Sequence, residues 1–129
     1  MDSPRALPTI VVADDDPEMR AVLRDFLSRT GYGVVEASGG GELLDLLARV
    51  TASVIILDKE MPGRSGLDLL PPLRSRHPEI PVIVITAFGG PSTRQAAERL
   101  GAVGYIEKPF KLSDLLAVIR RAVRQEVSS

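Results

Sequence analysis

The chain has 129 residues, 44% of them hydrophobic, with 16 basic and 17 acidic side chains and a net charge of −1. That is the size of one small domain, spanning 1–129 with an ordered core of about 8–126, and its charge balance excludes a surface built to track a nucleic-acid backbone. The lack of cysteine excludes a disulfide framework and a thiolate metal site, while no signal peptide or long apolar span is legible, so the expected setting is the cytoplasm with no membrane contact.

Residues 9–13, Thr-Ile-Val-Val-Ala, form the first apolar, β-branched run, a strand followed by Asp14, Asp15 and Asp16. Asp16-Pro17 can cap and open a helix whose stripe is Met19, Val22, Leu23, Phe26 and Leu27, and Gly31 can close it. A second strand at 34–37 precedes a helix carrying Leu43, Leu44, Leu46 and Leu47. The third strand, 54–57, runs into Asp58. A helix is expected from near Ser65 through Leu67, Leu69 and Leu70, but Pro71-Pro72 falls inside it. Each proline costs about 3 kcal/mol in a regular helix, so the expectation is a kink or a restart at Pro71.

The fourth strand, 82–85, meets Thr86, and Gly89-Gly90 gives the loop after it freedom before a helix with Ala96, Ala97 and Leu100 that Gly101 ends. The fifth, 103–106, leads to Lys108-Pro109 and a last helix with Leu112, Leu115, Leu116, Val118, Ile119 and Val123, Ser113 and Asp114 lying in its first turn. The first eight residues and Val127-Ser128-Ser129 are expected to be loose.

Strand and helix alternate five times, and the runs are apolar almost without break, as in strands covered on both faces. This predicts an α/β, doubly wound, five-stranded parallel sheet flanked by five helices. The carboxyl ends of parallel strands open on one edge, which would gather Asp14, Asp15, Asp58, Thr86 and Lys108 into one pocket. Three carboxylates, a hydroxyl and an ammonium suit one task, holding a divalent cation beside a phosphoryl group. Taken singly, the acids could be a helix N-terminus, Thr86 a strand-end residue and Lys108 a surface cation; the constellation carries the argument.

In order and spacing, Val11-Val12-Ala13-Asp14-Asp15-Asp16-Pro17, Ile55-Ile56-Leu57-Asp58 with Met61-Pro62-Gly63 and Gly66, Ile85-Thr86-Ala87 and Lys108-Pro109-Phe110 resemble the CheY-like receiver domain of two-component response regulators. The resemblance covers essentially the whole chain and implies the flavodoxin-like strand order 2-1-3-4-5. It implies a Mg²⁺-dependent phosphoacceptor at Asp58, served by a sensor histidine kinase or phosphotransfer protein. The metal ligands would be Asp15, Asp58 and the backbone carbonyl of Glu60, with Asp14 reaching the ion through water. Lys108, Thr86 and the backbone amides of Lys59 and Ala87 would face the phosphoryl group. Thr86 and Tyr105 would form the switch, a cis Lys108-Pro109 bond is implied, and the face made by helix four, strand five and helix five would control an unknown output partner or effector domain, with a phosphorylation-dependent homodimer among the assemblies open to it. Such a protein is a switch that catalyses its own phosphorylation and dephosphorylation, not a turnover enzyme.

Several residues depart from the pattern. Lys59 is charged where an apolar residue is usual, and it is expected to point to solvent. Glu60 and Phe88 stand two residues beyond Asp58 and Thr86, places that tune phosphoryl kinetics in the family, and Val103-Gly104 replaces the acidic pair of the winged-helix subfamily. A constitutive interaction module that is never phosphorylated is a second class of function. A metal-dependent phosphatase is a third, although no cap insertion is present and Glu60 is the only nearby acid/base group. Whether the chain stands alone or is the amino-terminal piece of a larger regulator stays open. His77, held in Arg76-His77-Pro78, reads as a loop residue. Arg120, Arg121 and Arg124 read as charges on a solvated helix face, and Gly39-Gly40-Gly41 lacks the spacing of a dinucleotide loop.

Overall fold

The computed structural model describes residues 7–128. Five parallel strands, β1 (Thr9–Ala13), β2 (Gly33–Ala37), β3 (Val54–Asp58), β4 (Val82–Thr86) and β5 (Gly104–Glu107), form one sheet in the order β2-β1-β3-β4-β5. The reversal of strand order falls between β1 and β3, which pair through Ile10–Val54 to Ala13–Leu57. That is the switch point, where a doubly wound sheet opens a crevice beyond its carboxyl ends.

The pleat sends alternate residues of the central strands to opposite faces, and each face has its own core. On one side Val11, Ile55, Leu57, Val82 and Val84 meet Leu43 and Leu47 of α2 (Gly40–Leu47), Leu70 and Leu73 of α3 (Leu70–Arg76) and Ala97 of α4 (Pro91–Arg99). On the other, Ile10, Val12, Val54, Ile56, Ile83 and Ile85 pack on Leu23 and Leu27 of α1 (Pro17–Arg29) and on Leu115 and Ile119 of α5 (Leu112–Ser128). Two-sided burial is why β3 and β4 are apolar at nearly every position and why only their last residues, Asp58 and Thr86, are polar.

Helix boundaries follow the local chemistry. The Asp16 side chain accepts from the Glu18 amide at 2.9 Å and Pro17 starts α1, while Gly31 at φ 97° and Gly101 at φ 108° follow the ends of α1 and α4. The third helix begins as a 3-10 turn, Gly66–Leu69, and restarts as α3 at Leu70. Pro71 and Pro72 thus fall in a first turn, whose amides have no intrahelical acceptor to lose, so the penalty of a mid-helix proline does not arise. A short antiparallel hairpin, Glu60–Met61 with Arg64–Ser65, turns at Pro62-Gly63, where Gly63 has φ 80°. The last helix, α5, runs through Ser128, while Ser129 and residues 1–6, expected to be loose, lie outside the described residues.

Candidate functional site

The carboxyl edge of the sheet collects the side chains that the sequence scatters. Asp14 leaves β1 and is fully buried, Asp58 ends β3 and is almost as buried, and Thr86 ends β4 with no exposure. Asp15 is exposed at the mouth. One carboxylate oxygen from each of Asp14, Asp15 and Asp58 lies within 4.8 Å of the others. Lys108, one residue past β5, sends its Nζ between the two buried acids, 3.4 Å from Asp14 Oδ2 and 3.4 Å from Asp58 Oδ2. The Lys108 amide donates to the Thr86 carbonyl at 2.8 Å, which ties the lysine to the end of β4, and the Lys108-Pro109 bond is cis.

The electrostatics express two anions sharing a dry pocket. Burial, then the neighbouring Asp14 charge, pushes the Asp58 carboxyl from its ordinary 3.8 up to about 7, against the Glu60 amide and Lys108, which favour the charged form. For Lys108, burial alone would lower the ammonium's pKa, but Asp14 and Asp58 outweigh it and the net shift is upward. One lysine therefore stands against two buried carboxylates and an exposed third. The donor set is all hard oxygen, which fits a divalent cation of the magnesium type.

The loop after β3 is held close. The Glu60 amide donates to Asp58 Oδ1 at 3.0 Å, and the Gly66 amide donates to the Lys59 carbonyl at 2.6 Å. A Cβ on Gly66 would overlap the Asp58 carbonyl oxygen, so only glycine lets the two backbones approach this closely. Beside this loop an open groove of about 470 Å³ is lined by Asp15, Lys59, Glu60, Met61, Pro62 and Ser65.

Two expectations about Lys59 are corrected. Its amide donates to the Ile85 carbonyl at 2.8 Å, because β3–β4 pairing runs one residue beyond Asp58, and so it is not free to face a phosphoryl group. Its side chain does not simply point to solvent; Nζ lies 3.2 Å from Glu60 Oε2. The Ala87 amide is also engaged, donating to Glu60 Oε1 at 2.7 Å, and Thr86 Oγ1 donates to Glu60 Oε2 at 2.5 Å. The Glu60 carboxyl is held below its ordinary range: burial opposes ionisation, but the hydrogen bonds from Thr86, Ala87 and Lys59 prevail.

Tyr105 is partly buried on β5, where its hydroxyl donates to Glu107 Oε2 at 3.2 Å and the Arg94 guanidinium lies 5.3 Å from its ring centre. The same Glu107 oxygen accepts from the Gly90 amide at 2.8 Å, fastening the far end of the loop that begins at Thr86. Next to Tyr105, α4, β5 and α5 flank an open groove of about 590 Å³ whose lining includes Arg94, Glu98, Val103 and Arg121. His77 caps the end of α3, away from the carboxylates, as a loop residue should. The sequence marks Glu60 as a residue beside the site but not its bonds to Thr86 and Ala87, and Glu107 is missed altogether. Among described residues no helix is long and apolar enough to cross a membrane.

The family model described as response regulator receiver domain matches residues 10–120. The DNA-binding transcriptional regulator NtrC of Rhizobium meliloti (strain 1021) is 38% identical over 117 residues, 91% of this chain and 24% of that protein. The response regulator MprA of Mycobacterium sp. (strain KMS) is 41% identical over 116 residues, 90% of this chain and 50% of that protein. The chain thus spans a quarter to a half of the length of these relatives. A CheY-like receiver domain protein from Methanospirillum hungatei JF-1 superposes with a TM-score of 0.91 at 25% identity, covering 95% of this chain and 98% of that one.

Proposed function

The chain belongs to the response regulator receiver domain family, whose role is that of phosphoacceptor in two-component signalling, and on that premise we propose that Asp58 accepts the phosphoryl group here, from a sensor histidine kinase or a phosphotransfer protein. The observation that carries this reading is the setting of Asp58: a buried carboxylate at the sheet's switch point, 3.4 Å from the Lys108 ammonium and clustered with Asp14 and Asp15.

In the transfer, an Asp58 carboxylate oxygen attacks phosphorus in line. The bond from phosphorus to the donor nitrogen breaks, its electron pair stays on the donor imidazole, and an aspartyl phosphate remains. Asp14, Asp15 and Asp58, with the backbone carbonyl of Glu60, would hold Mg²⁺, which supplies positive charge against the phosphoryl oxygens. Lys108 contributes a fixed ammonium on the same side, and its attraction is worth more in this water-poor pocket than in solvent. Thr86 and the Ala87 amide are the donors that a phosphoryl oxygen would recruit from the end of β4. Their movement would draw the loop 87–90, and with it Tyr105, so that phosphorylation shifts the population of two conformers. The α4–β5–α5 face is then the surface presented to an output partner or effector domain, or to a second copy of the chain in a phosphorylation-dependent homodimer. The work is done in the cytoplasm, and the product is the protein's own altered state, reversed when the protein catalyses loss of its phosphoryl group.

The test is intact mass after incubation with acetyl phosphate, with and without Mg²⁺. A single Mg²⁺-dependent phosphoryl adduct that is absent from Asp58→Asn is the expected result. An adduct of equal yield on Asp58→Asn overturns the assignment, and a folded protein that binds Mg²⁺ but takes up nothing, even from kinase, returns the chain to the class of constitutive interaction modules.

A further inference from the structure

The Glu60 carboxylate already occupies the donors that a phosphoryl group on Asp58 would need. Its Oε2 accepts the Thr86 hydroxyl at 2.5 Å, its Oε1 accepts the Ala87 amide at 2.7 Å, and Lys59 Nζ neutralises it from the other side at 3.2 Å. A threonine hydroxyl has one proton and a backbone amide has one, so neither can be given at full strength to a second acceptor while Glu60 holds it. The Glu60 amide is itself bonded to Asp58 Oδ1 at 3.0 Å, which keeps this carboxylate at the phosphoacceptor's side. Three donors on one anion, a hydroxyl, an amide and an ammonium, are the kind of set that binds phosphoryl oxygens.

We propose that Glu60 is a resident anion that holds Thr86 and Ala87 in the unphosphorylated protein and must release them before phosphoryl oxygens can take its place. This rests on Asp58 being the phosphoacceptor and assigns the regulation of that site: Glu60 sets how readily the site accepts an anion and how fully phosphorylation moves the β4–α4 loop. The competition is local. It weakens the binding of any phosphoryl-like anion at Asp58 and leaves the sheet and both cores untouched. Removing the carboxylate frees two donors at once, while the isosteric glutamine keeps an acceptor oxygen but loses the charge that makes the bonds strong.

The test is a titration with beryllofluoride in the presence of Mg²⁺, followed through the backbone amide signals of Ala87 and Phe88 in the wild type, Glu60→Gln and Glu60→Ala. The expected order of affinity is Glu60→Ala above Glu60→Gln above wild type, with about a tenfold gain for alanine, the size of one charge-assisted hydrogen bond returned to the ligand. Phosphoryl uptake from acetyl phosphate should rise in the same order, and the Ala87 amide signal should move in both variants before any anion is added. If Glu60→Ala folds poorly, Glu60→Gln carries the comparison alone, with a smaller gain expected. Equal or weaker binding in the variants, while the wild type still takes phosphoryl on Asp58, overturns this inference and leaves the phosphoacceptor standing. Failure of every protein, wild type included, to bind beryllofluoride or take up phosphoryl overturns both.

Discussion

Asp58 is an acid kept where water hardly reaches it, facing Asp14, and that arrangement has a measurable cost when no cation is bound. Its folded-state pKa of about 7 lies above the ordinary 3.8, so the folded protein binds more protons than the unfolded chain between those values. The stability that this proton contributes is complete below about pH 3.8 and is lost as pH rises through about 7. Asparagine has nearly the same shape and no charge to lose. In EDTA, Asp58→Asn should therefore melt at a higher temperature than the wild type at pH 8, and the gap should shrink steadily toward pH 5. Thermal unfolding followed by circular dichroism checks this, and a gap that stays constant with pH would sink the account. At the scale of residues the sequence shows Asp14, Asp15, Asp58, Thr86 and Lys108 clearly, because each is polar at the end of an apolar run. It marks Glu60 as a neighbour of the site without showing what its carboxylate holds, and it does not show Glu107 at all. A glutamate at a strand end, such as Glu107, reads as solvated, and the partners of the two include the backbone amides of Ala87 and Gly90, which no side-chain pattern reveals.

The elements that carry the site are less regular than the pattern of apolar residues suggests. Alternation and helical spacing locate all five strands and five helices to within a few residues, since two-sided burial imposes the first and an apolar stripe the second. The hairpin at 60–65 and the 3-10 turn at 66–69 are too short to have a period. Their signals are Pro62-Gly63, a turn pair, Ser65, whose side chain caps the 3-10 turn, and the proline pair, which favours a helix start at Leu70. Gly66 is the tightest point of this arrangement, for its Cα faces the carbonyl of Asp58. In Gly66→Ala the new methyl would overlap the Asp58 carbonyl oxygen and stand 3.0 Å from Lys59 Cα. Both are backbone atoms, which cannot swing aside as a side-chain tip can. The substitution should lower the urea midpoint by the equivalent of about 1–3 kcal/mol, as overpacking does, and should also depress phosphoryl uptake because Asp58 and Glu60 move with the strand end. An alanine variant with unchanged midpoint and uptake would show that the loop yields at no cost.

At the scale of the molecule, the fold is two apolar cores on either side of one sheet, with its charge conflict confined to one edge. Both cores are apolar, while among the described residues the edge gathers the carboxylates of Asp14, Asp15 and Asp58 about the Lys108 ammonium. Any cation that binds there binds the folded chain alone, because the unfolded chain separates Asp14, Asp15 and Asp58. Mass action then fixes the size of the effect: Mg²⁺ at one hundred times its dissociation constant should add about 2.7 kcal/mol of stability. For a domain of this length that is a rise of roughly 10 °C in melting temperature. Protons compete for the same site, so the rise should be smaller at pH 6, below the folded pKa of Asp58, than at pH 8. Asp15 gives the clean control. It is exposed, so Asp15→Asn should leave the fold intact in EDTA while removing most of the Mg²⁺-induced rise. Melting curves of both proteins across a Mg²⁺ titration decide it. An equal rise in the variant would place the cation elsewhere on the molecule, and no rise in either protein would mean that Lys108 alone balances the edge.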